Sequence, residues 1–149
     1  MLTAKARGPA AVPDDVRVAR ATVPWPHLLL GGGRRSAVVN RWLAVPDAYS
    51  AWIVPAVLKG RRILARERFD ALFSSSPRPS VHVVAAVLSE HADLPWLADY
   101  RDPWSTYQFR RFPTPAHRRA HFGLEAWALQ RAAAVTAVNR PILDDLVVR

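Results

Sequence analysis

The 149-residue sequence contains no cysteine. This absence excludes a disulfide framework, a thiolate metal site and a cysteine nucleophile. It is consistent with a reducing compartment, in which disulfides rarely persist. The length suits one domain and is too short for two ordinary ones. We therefore expect a single-domain cytoplasmic protein.

Long hydrophobic runs are also missing. The longest, Val81 to Leu88, is far shorter than the roughly 18 residues that a transmembrane helix needs. Met1 to Ala10 lacks the apolar segment of a secretory signal. These absences predict a chain that is soluble, or bound only peripherally at the inner face of a membrane.

Lysine is nearly absent, since Lys5 and Lys59 are the only two, yet the net charge is +9. The remaining basic residues are arginines, which accompany abundant alanine, valine and proline in short scattered groups. A basic surface attracts any polyanion, but GC-rich coding explains this composition at least as well. Nucleic acid is therefore the disfavoured partner.

The common nucleotide and hydrolase motifs are missing, because no G-x-G-x-x-G, Walker or G-x-S-x-G spacing occurs. A glycine triplet, Gly31 to Gly33, precedes two arginines and could cradle a phosphate, but a flexible hinge is the favoured interpretation. His117 and His121 lie four apart without a zincin glutamate, which favours a solvated surface pair over a metal site. We predict no metal and no assignable catalytic residue.

Strand and helix patterns alternate from Asp47 onwards. Strand patterns cover Phe69 to Ser74, Trp96 to Ala98 and Val135 to Val138, and helical patterns begin at Asp47, Val81, Ala116 and Ile142. The alternation predicts an α/β fold, a Rossmann-like parallel sheet with helices on both faces. We expect an incomplete single domain over residues 1–149, in which 1–46 form an irregular start with one strand, Val16 to Val23, and 47–149 form the core.

The helix that begins after Asp47 is basic and amphipathic. Asp47 can cap it, and its polar faces carry Lys59, Arg61, Arg62, Arg66 and Arg68. A helix that packs one face on a sheet and leaves a basic back in solvent is the favoured interpretation. Contact of Lys59 to Arg68 with an anionic membrane is the alternative.

Polar side chains follow two neighbouring strand patterns. Trp96 to Ala98 runs into Asp99, Arg101 and Asp102, at the edge where open parallel sheets bind ligands. Ser75 and Ser76 precede a helix that Ser80 can cap, and free N–H groups at that helix start would suit an anion or a sugar hydroxyl as an alternative to simple capping. The charged cluster is either a structural ion pair or a grip on a hydroxylated substrate, beside which Trp104 offers an apolar face.

Three segments together carry a resemblance to a known family. They are Ser74-Ser-Ser-Pro-Arg-Pro-Ser80-Val-His82, Leu94-Pro-Trp-Leu-Ala-Asp-Tyr-Arg-Asp-Pro-Trp104 and Ala133-Ala-Val-Thr-Ala-Val138. From about Asp47 to its end the chain resembles the N-terminal, acceptor-side domain of family 4 glycosyltransferases of the GT-B architecture. Met1-Leu-Thr-Ala-Lys5 also resembles the end of that domain's second strand, so we expect a fragment that lacks the first strand and the donor-binding domain.

The resemblance implies transfer of a sugar from a nucleotide-sugar donor to an acceptor, which can be lipid-linked, without a required metal. No cofactor is expected in this chain, and the nucleotide sugar is expected to bind only the full-length enzyme. By resemblance, Arg101 and Asp102 face the cleft, with Ser75 and Ser76 on the adjacent strand end. Together with the flanking Trp104 they are the expected substrate-binding residues. We expect the fragment to be inactive alone.

A binding module of another class is the rival hypothesis. In this interpretation the groups Lys59 to Arg68 and Arg110 to Arg119 bind an anionic membrane surface or nucleic acid. Such binding would weaken as salt screens the phosphates.

Overall fold

The computed structural model describes residues 2–4, 16–22 and 42–148, with 2–4 as backbone only. The glycine triplet Gly31 to Gly33, considered above as a phosphate cradle or a hinge, and the two arginines after it lie outside these residues. In chain order the elements are β1 (Leu2–Ala4), β2 (Ala19–Ala21), α1 (Ser50–Leu64), β3 (Leu72–Ser75), α2 (Pro79–Ala92), β4 (Trp96–Tyr100), α3 (Pro115–Leu129), β5 (Ala134–Ala137) and α4 (Arg140–Val147).

All strand pairs in the described part are parallel. One sheet has the order β3-β4-β5, and a second pairs β1 with β2. In the larger sheet Ser75 lies beside Asp99 and Asp99 beside Thr136. Helices surround this sheet, so the predicted α/β Rossmann-like class is confirmed. The carboxyl ends of three strands meet at one edge, which places the residues that follow them together.

The strand β4 extends beyond its predicted end at Ala98. Trp96, Ala98 and Tyr100 alternate with two half-buried residues and are at most 1% exposed, so their side chains face the helices. Asp99 therefore lies within the strand, on its opposite face, because side chains alternate along a strand. The charged run begins inside the sheet and not after it.

Two expected helix caps are wrong. Asp47 does not cap α1, whose N-cap is Tyr49. Its carboxylate instead accepts from the N–H groups of Tyr49 and Ser80, each at 2.7 Å. Ser80 lies inside the first turn of α2, after the N-cap Arg78, and its buried hydroxyl has no hydrogen-bond partner among the described residues. A carboxylate distant in sequence therefore takes the capping role.

The predicted helix Ala116 to Ala133 is too long, because α3 ends at Leu129. The N–H of Ala133 already donates to the carbonyl of Trp96 at 2.9 Å. Pairing with β4 thus overrides the helical preference of the alanines that follow the helix. The main core joins α2, β4, α3 and α4 through ten buried residues: Val83, Ala85, Ala86, Trp96, Ala98, Tyr100, Trp104, Ala128, Ile142 and Leu146.

Candidate functional site

The Asp99 carboxylate joins the three strands at their carboxyl ends. Its Oδ2 accepts from the Ser75 hydroxyl at 2.6 Å, and its Oδ1 accepts from the Thr136 hydroxyl at 2.9 Å. These two hydrogen bonds, first that of Ser75, lower the pKa of Asp99, and the charge of nearby Arg101 lowers it further. Asp99 is therefore an ionised acceptor, with hydroxyl donors on both neighbouring strands.

Ser76 shapes the chain that leaves β4. Its N–H donates to the carbonyl of Asp99 at 2.9 Å. Its hydroxyl oxygen accepts from the N–H groups of Arg101 at 2.7 Å and Asp102 at 3.3 Å, and the residue is 5% exposed. Ser76 therefore fixes the backbone from which Arg101 and Asp102 project, and it is less open to a ligand than its sequence position suggests.

Arg101 and Asp102 are the predicted site residues whose side chains are open to solvent. They follow the central strand of the sheet, with Ser75 half-buried on the strand beside them. The structure thus brings four of the five predicted residues to one edge of the sheet: Ser75, Ser76, Arg101 and Asp102. Hydrogen bonds of Ser76 and Asp99 hold this edge together. A guanidinium can bind a phosphate there, and carboxylates can accept hydrogen bonds from sugar hydroxyls.

Trp104 does not offer the expected apolar face. It is 2% exposed, lies in the main core, and its indole Nε1–H donates to Nδ1 of His121 at 3.4 Å. The exposed aromatics on this segment are Tyr107 and Phe109, which are 39% and 72% exposed with ring centroids 5.6 Å apart. Sequence reasoning missed this pair, although its signal, two aromatics in a polar connection bounded by prolines, was available.

His117 and His121 are not the expected solvated pair. His121 is 5% exposed, and burial, followed by the charge of Arg110, lowers its pKa to about 4. Its Nδ1 lies 3.4 Å from Nη1 of Arg110, which also donates to the carbonyl of Pro46 at 3.1 Å. These contacts hold the segment after β4 against the residues that precede α1. No group of three potential metal-ligating side chains occurs among the described residues.

A buried serine and histidine lie below the edge. The Ser74 hydroxyl oxygen accepts from Nε1 of Trp96 at 2.8 Å, and it shares a second hydrogen bond of 2.8 Å with Nδ1 of His82. The direction of the first bond is fixed because an indole nitrogen can only donate, whereas the direction of the second depends on the His82 tautomer. Burial lowers the pKa of His82 to about 4, and its side chain is 0% exposed. The pair has the spacing of a nucleophile and a base, but its burial makes it part of the core.

The start of α2 is not open to an anion, contrary to the alternative considered from sequence. The carboxylate of Asp47 already occupies the N–H of Ser80 there. The start of α4 is similarly occupied, because Oδ1 of Asn139 accepts from the N–H of Ile142 at 3.0 Å. The exposed arginines that follow the three strands, Arg78, Arg101 and Arg140, are therefore the side chains that can meet a ligand charge at this edge.

The outward face of α1 mixes apolar and basic side chains. Val54 is 65% and Leu58 49% exposed, and Lys59, Arg61 and Arg62 are also exposed. The expected basic back of this helix therefore also carries two exposed aliphatic side chains. No helix among the described residues combines the length and apolar character needed to cross a bilayer.

The chain matches no protein-family model, no curated protein and no solved structure in the three comparisons made. Its candidate site is therefore defined by its own geometry.

Proposed function

We propose that this chain forms the acceptor side of a glycosyltransferase cleft, in which Arg101 and Asp102 bind a hydroxylated acceptor. The observation that carries the proposal is the pair of solvent-exposed charges at the end of the central strand. Ligands of open parallel sheets bind at this edge. In this proposal the chain binds the acceptor, and nucleotide-sugar transfer requires a donor-binding domain in addition.

The side chains of Arg101 and Asp102 match a phosphorylated or otherwise anionic sugar acceptor. Ser76 holds the backbone N–H groups of both residues, so their side chains start from a fixed main chain. Such preorganisation reduces the ordering that binding requires. The exposed rings of Tyr107 and Phe109 provide apolar surface on the same segment.

Binding of the 149-residue chain to hexose phosphates and to the same free hexoses tests this proposal, with amide NMR shifts as the readout. A hydrogen bond to a charged group contributes about 1.5–3 kcal/mol, so we expect Arg101→Ala to weaken hexose phosphate binding about tenfold or more. Asp102→Asn should weaken both ligand classes.

The matched controls are Arg119→Ala and Asp70→Asn, since both residues are exposed and lie outside the edge. They should leave affinity unchanged. Equal losses in the controls, or shifts that avoid Ser75, Arg101 and Asp102, would overturn the assignment.

A second candidate function is peripheral contact with an anionic membrane through α1. The exposure of Val54 and Leu58 beside Lys59, Arg61 and Arg62 favours it. Aliphatic side chains can enter the acyl boundary while the arginines meet lipid phosphates, a combination that favours a lipid surface over nucleic acid. Such contact would suit a lipid-linked acceptor.

Co-sedimentation with phosphatidylglycerol and phosphatidylcholine vesicles measures this contact. Joint replacement of Arg61 and Arg62 by Glu should abolish salt-sensitive binding to the anionic vesicles. Joint replacement of Arg118 and Arg119 on α3 by Glu makes the same charge change elsewhere and should have a smaller effect. Undiminished binding of the α1 variant, or equal binding to both lipids, would rule α1 out.

A further inference from the structure

A single imidazole nitrogen on α3 holds the chain that leaves β4. Nδ1 of His121 lies 3.4 Å from the indole Nε1 of Trp104 and 3.4 Å from Nη1 of Arg110. An indole N–H and a guanidinium N–H can only donate hydrogen bonds. Nδ1 must therefore be the acceptor for both, which requires a neutral His121 with its proton on Nε2.

The two donors lie at the two ends of one segment, residues 104–110. At the first end Trp104 is 2% exposed, and the N–H of the buried Ser105 donates to Oε2 of Glu125 on α3 at 3.2 Å. At the second end Nη1 of Arg110 also donates to the carbonyl of Pro46 at 3.1 Å. The residues between the two ends are exposed. The segment is thus fixed at its ends, and His121 contacts both of them.

Protonation of His121 removes both of these hydrogen bonds at once. A protonated imidazole carries a hydrogen on each nitrogen and has no acceptor left, so Nδ1–H would face an indole N–H and a guanidinium. Burial, followed by the charges of Arg110 and His117, lowers the pKa of His121 to about 4. Among the described residues, the carboxylates of Asp47 and Glu125 act on Arg110 and favour its charged form.

We propose that His121 is an acid-sensitive latch, whose neutral Nδ1 holds segment 104–110 on α3 and whose protonation releases that segment. Release lets water reach the imidazole and ends the conflict between Nδ1–H and the two donors. Because the segment follows Arg101 and Asp102, its release also loosens the edge that carries them. The latch needs no sugar, so its test can fail while the proposed function stands, and the reverse.

The size of the effect follows from the two pKa values of the imidazole. In the released form His121 has the ordinary pKa of 6.5, against about 4 in the closed form. The closed form is therefore favoured above pH 6.5 and loses ground as the pH falls towards 4, because the released form binds the proton first. From pH 7 to pH 5 the equilibrium constant for release rises about 20-fold. The exposed hydrogen bond from Thr106 to Asp145 does not involve His121 and opposes release at both pH values.

NMR of the unaltered protein tests the closed form of the latch. Long-range proton–nitrogen spectra should show His121 as the Nε2–H tautomer at pH 7, with a titration far below that of an exposed histidine. A proton on Nδ1 at pH 7, or a His121 that titrates near pH 6.5, would overturn the proposal.

Hydrogen exchange measures the release. The reporters are the indole N–H of Trp104 and the amide of Ser105, and the reference is the amide of Ala133, which donates to a carbonyl of β4. After correction for intrinsic rates, protection of both reporters should fall about 20-fold from pH 7 to pH 5. At pH 5 they should exchange faster than Ala133 and independently of low urea concentrations. Protection equal to that of Ala133 would mean that the segment opens only by global unfolding, and would overturn the latch.

His121→Asn separates this titration from others in the protein. The asparagine amide oxygen can accept hydrogen bonds near the position of Nδ1 but does not titrate. This variant should keep the reporters protected at pH 7 and lose most of the fall at pH 5. The matched control His91→Asn changes an exposed histidine of α2 and should retain the full fall. A full fall in His121→Asn would contradict the proposal, and the NMR titration remains decisive if this variant fails to fold.

Discussion

Gly60 on α1 provides the sharpest test of how the helices pack. A Cβ at this position would lie 2.5 Å from Cδ1 and 2.9 Å from Cδ2 of Leu88 on α2. Ordinary carbon contacts are about 3.5–4.0 Å, so Leu88 must move by roughly 1 Å in Gly60→Ala. Leu88 is only 6% exposed, but it lines an apolar groove between α1, α2 and β3 and can move towards that space.

The expected magnitude follows from two opposing terms. Replacing a helical glycine by alanine gains about 0.8–1.0 kcal/mol of helix propensity. Overpacking costs about 1–3 kcal/mol, and we expect the lower end because Leu88 can yield towards the groove. Gly60→Ala should therefore change the free energy of unfolding by between about zero and a loss of 1 kcal/mol.

Gly123 on α3 is the matched control, because a Cβ there meets no atom within 4 Å. Gly123→Ala should gain the full propensity term, about 0.8–1.0 kcal/mol, or roughly 2–4 °C in Tm. Urea unfolding of both variants measures the difference. Equal stabilisation by the two substitutions would refute the close approach of α1 and α2.

Three further predictions concern buried or half-buried polar groups. Burial lowers the pKa of His82 to about 4 from 6.5, so on acidification the unfolded chain binds this proton before the folded chain does, and the free energy of unfolding should fall by roughly 3 kcal/mol as the pH drops from 6.5 to 4. The urea midpoint of His82→Gln should depend less on pH than that of the unaltered protein. The exposed control His91→Gln should keep the original pH dependence. In thermal unfolding, Asp47→Ala should reduce the free energy of unfolding by about 0.5–2 kcal/mol. Ser80→Ala should be close to neutral, because the Ser80 hydroxyl has no hydrogen-bond partner among the described residues. The reverse order of the two effects would identify Ser80 as the cap. Ser76→Ala should reduce the free energy of unfolding by about 1–3 kcal/mol and speed hydrogen exchange at the amides of Arg101 and Asp102. Replacement of the buried Ser105 by Ala is the control. Unchanged exchange in Ser76→Ala would contradict the hydrogen bonds assigned to Ser76.

The order of the elements could be predicted because it depends on local patterns. The short apolar runs at β3, β4 and β5 and the longer periodic segments between them are readable without tertiary information. The end of β4 was misjudged because the charge of Asp99 masked the alternation that carries Tyr100 into the core. The alternation of buried and half-buried side chains continues through Asp99, and burial of Tyr100 extends the strand to that residue.

Contacts around the site could not be predicted from sequence spacing. The carboxylate of Asp47 meets Ser80, and the indole of Trp104 meets His121, across separations of 33 and 17 residues. Such pairs exist only once the helices are placed on the sheet. The same holds for the groove, whose walls come from two helices and a strand edge.

The polar groups at the carboxyl edge divide into two kinds, and this division determines what a ligand can use. Ser76 satisfies the backbone N–H groups of Arg101 and Asp102, and Asp99 accepts from hydroxyls on both neighbouring strands. These groups are positioning residues, because their bonds fix the main chain before any ligand arrives. Arg101 and Asp102 retain exposed side chains and provide the charge. For the proposed acceptor, loss of Ser76 should therefore weaken the binding of phosphorylated and free sugars alike by loosening the segment, whereas loss of the Arg101 guanidinium should weaken the binding of phosphorylated sugars more.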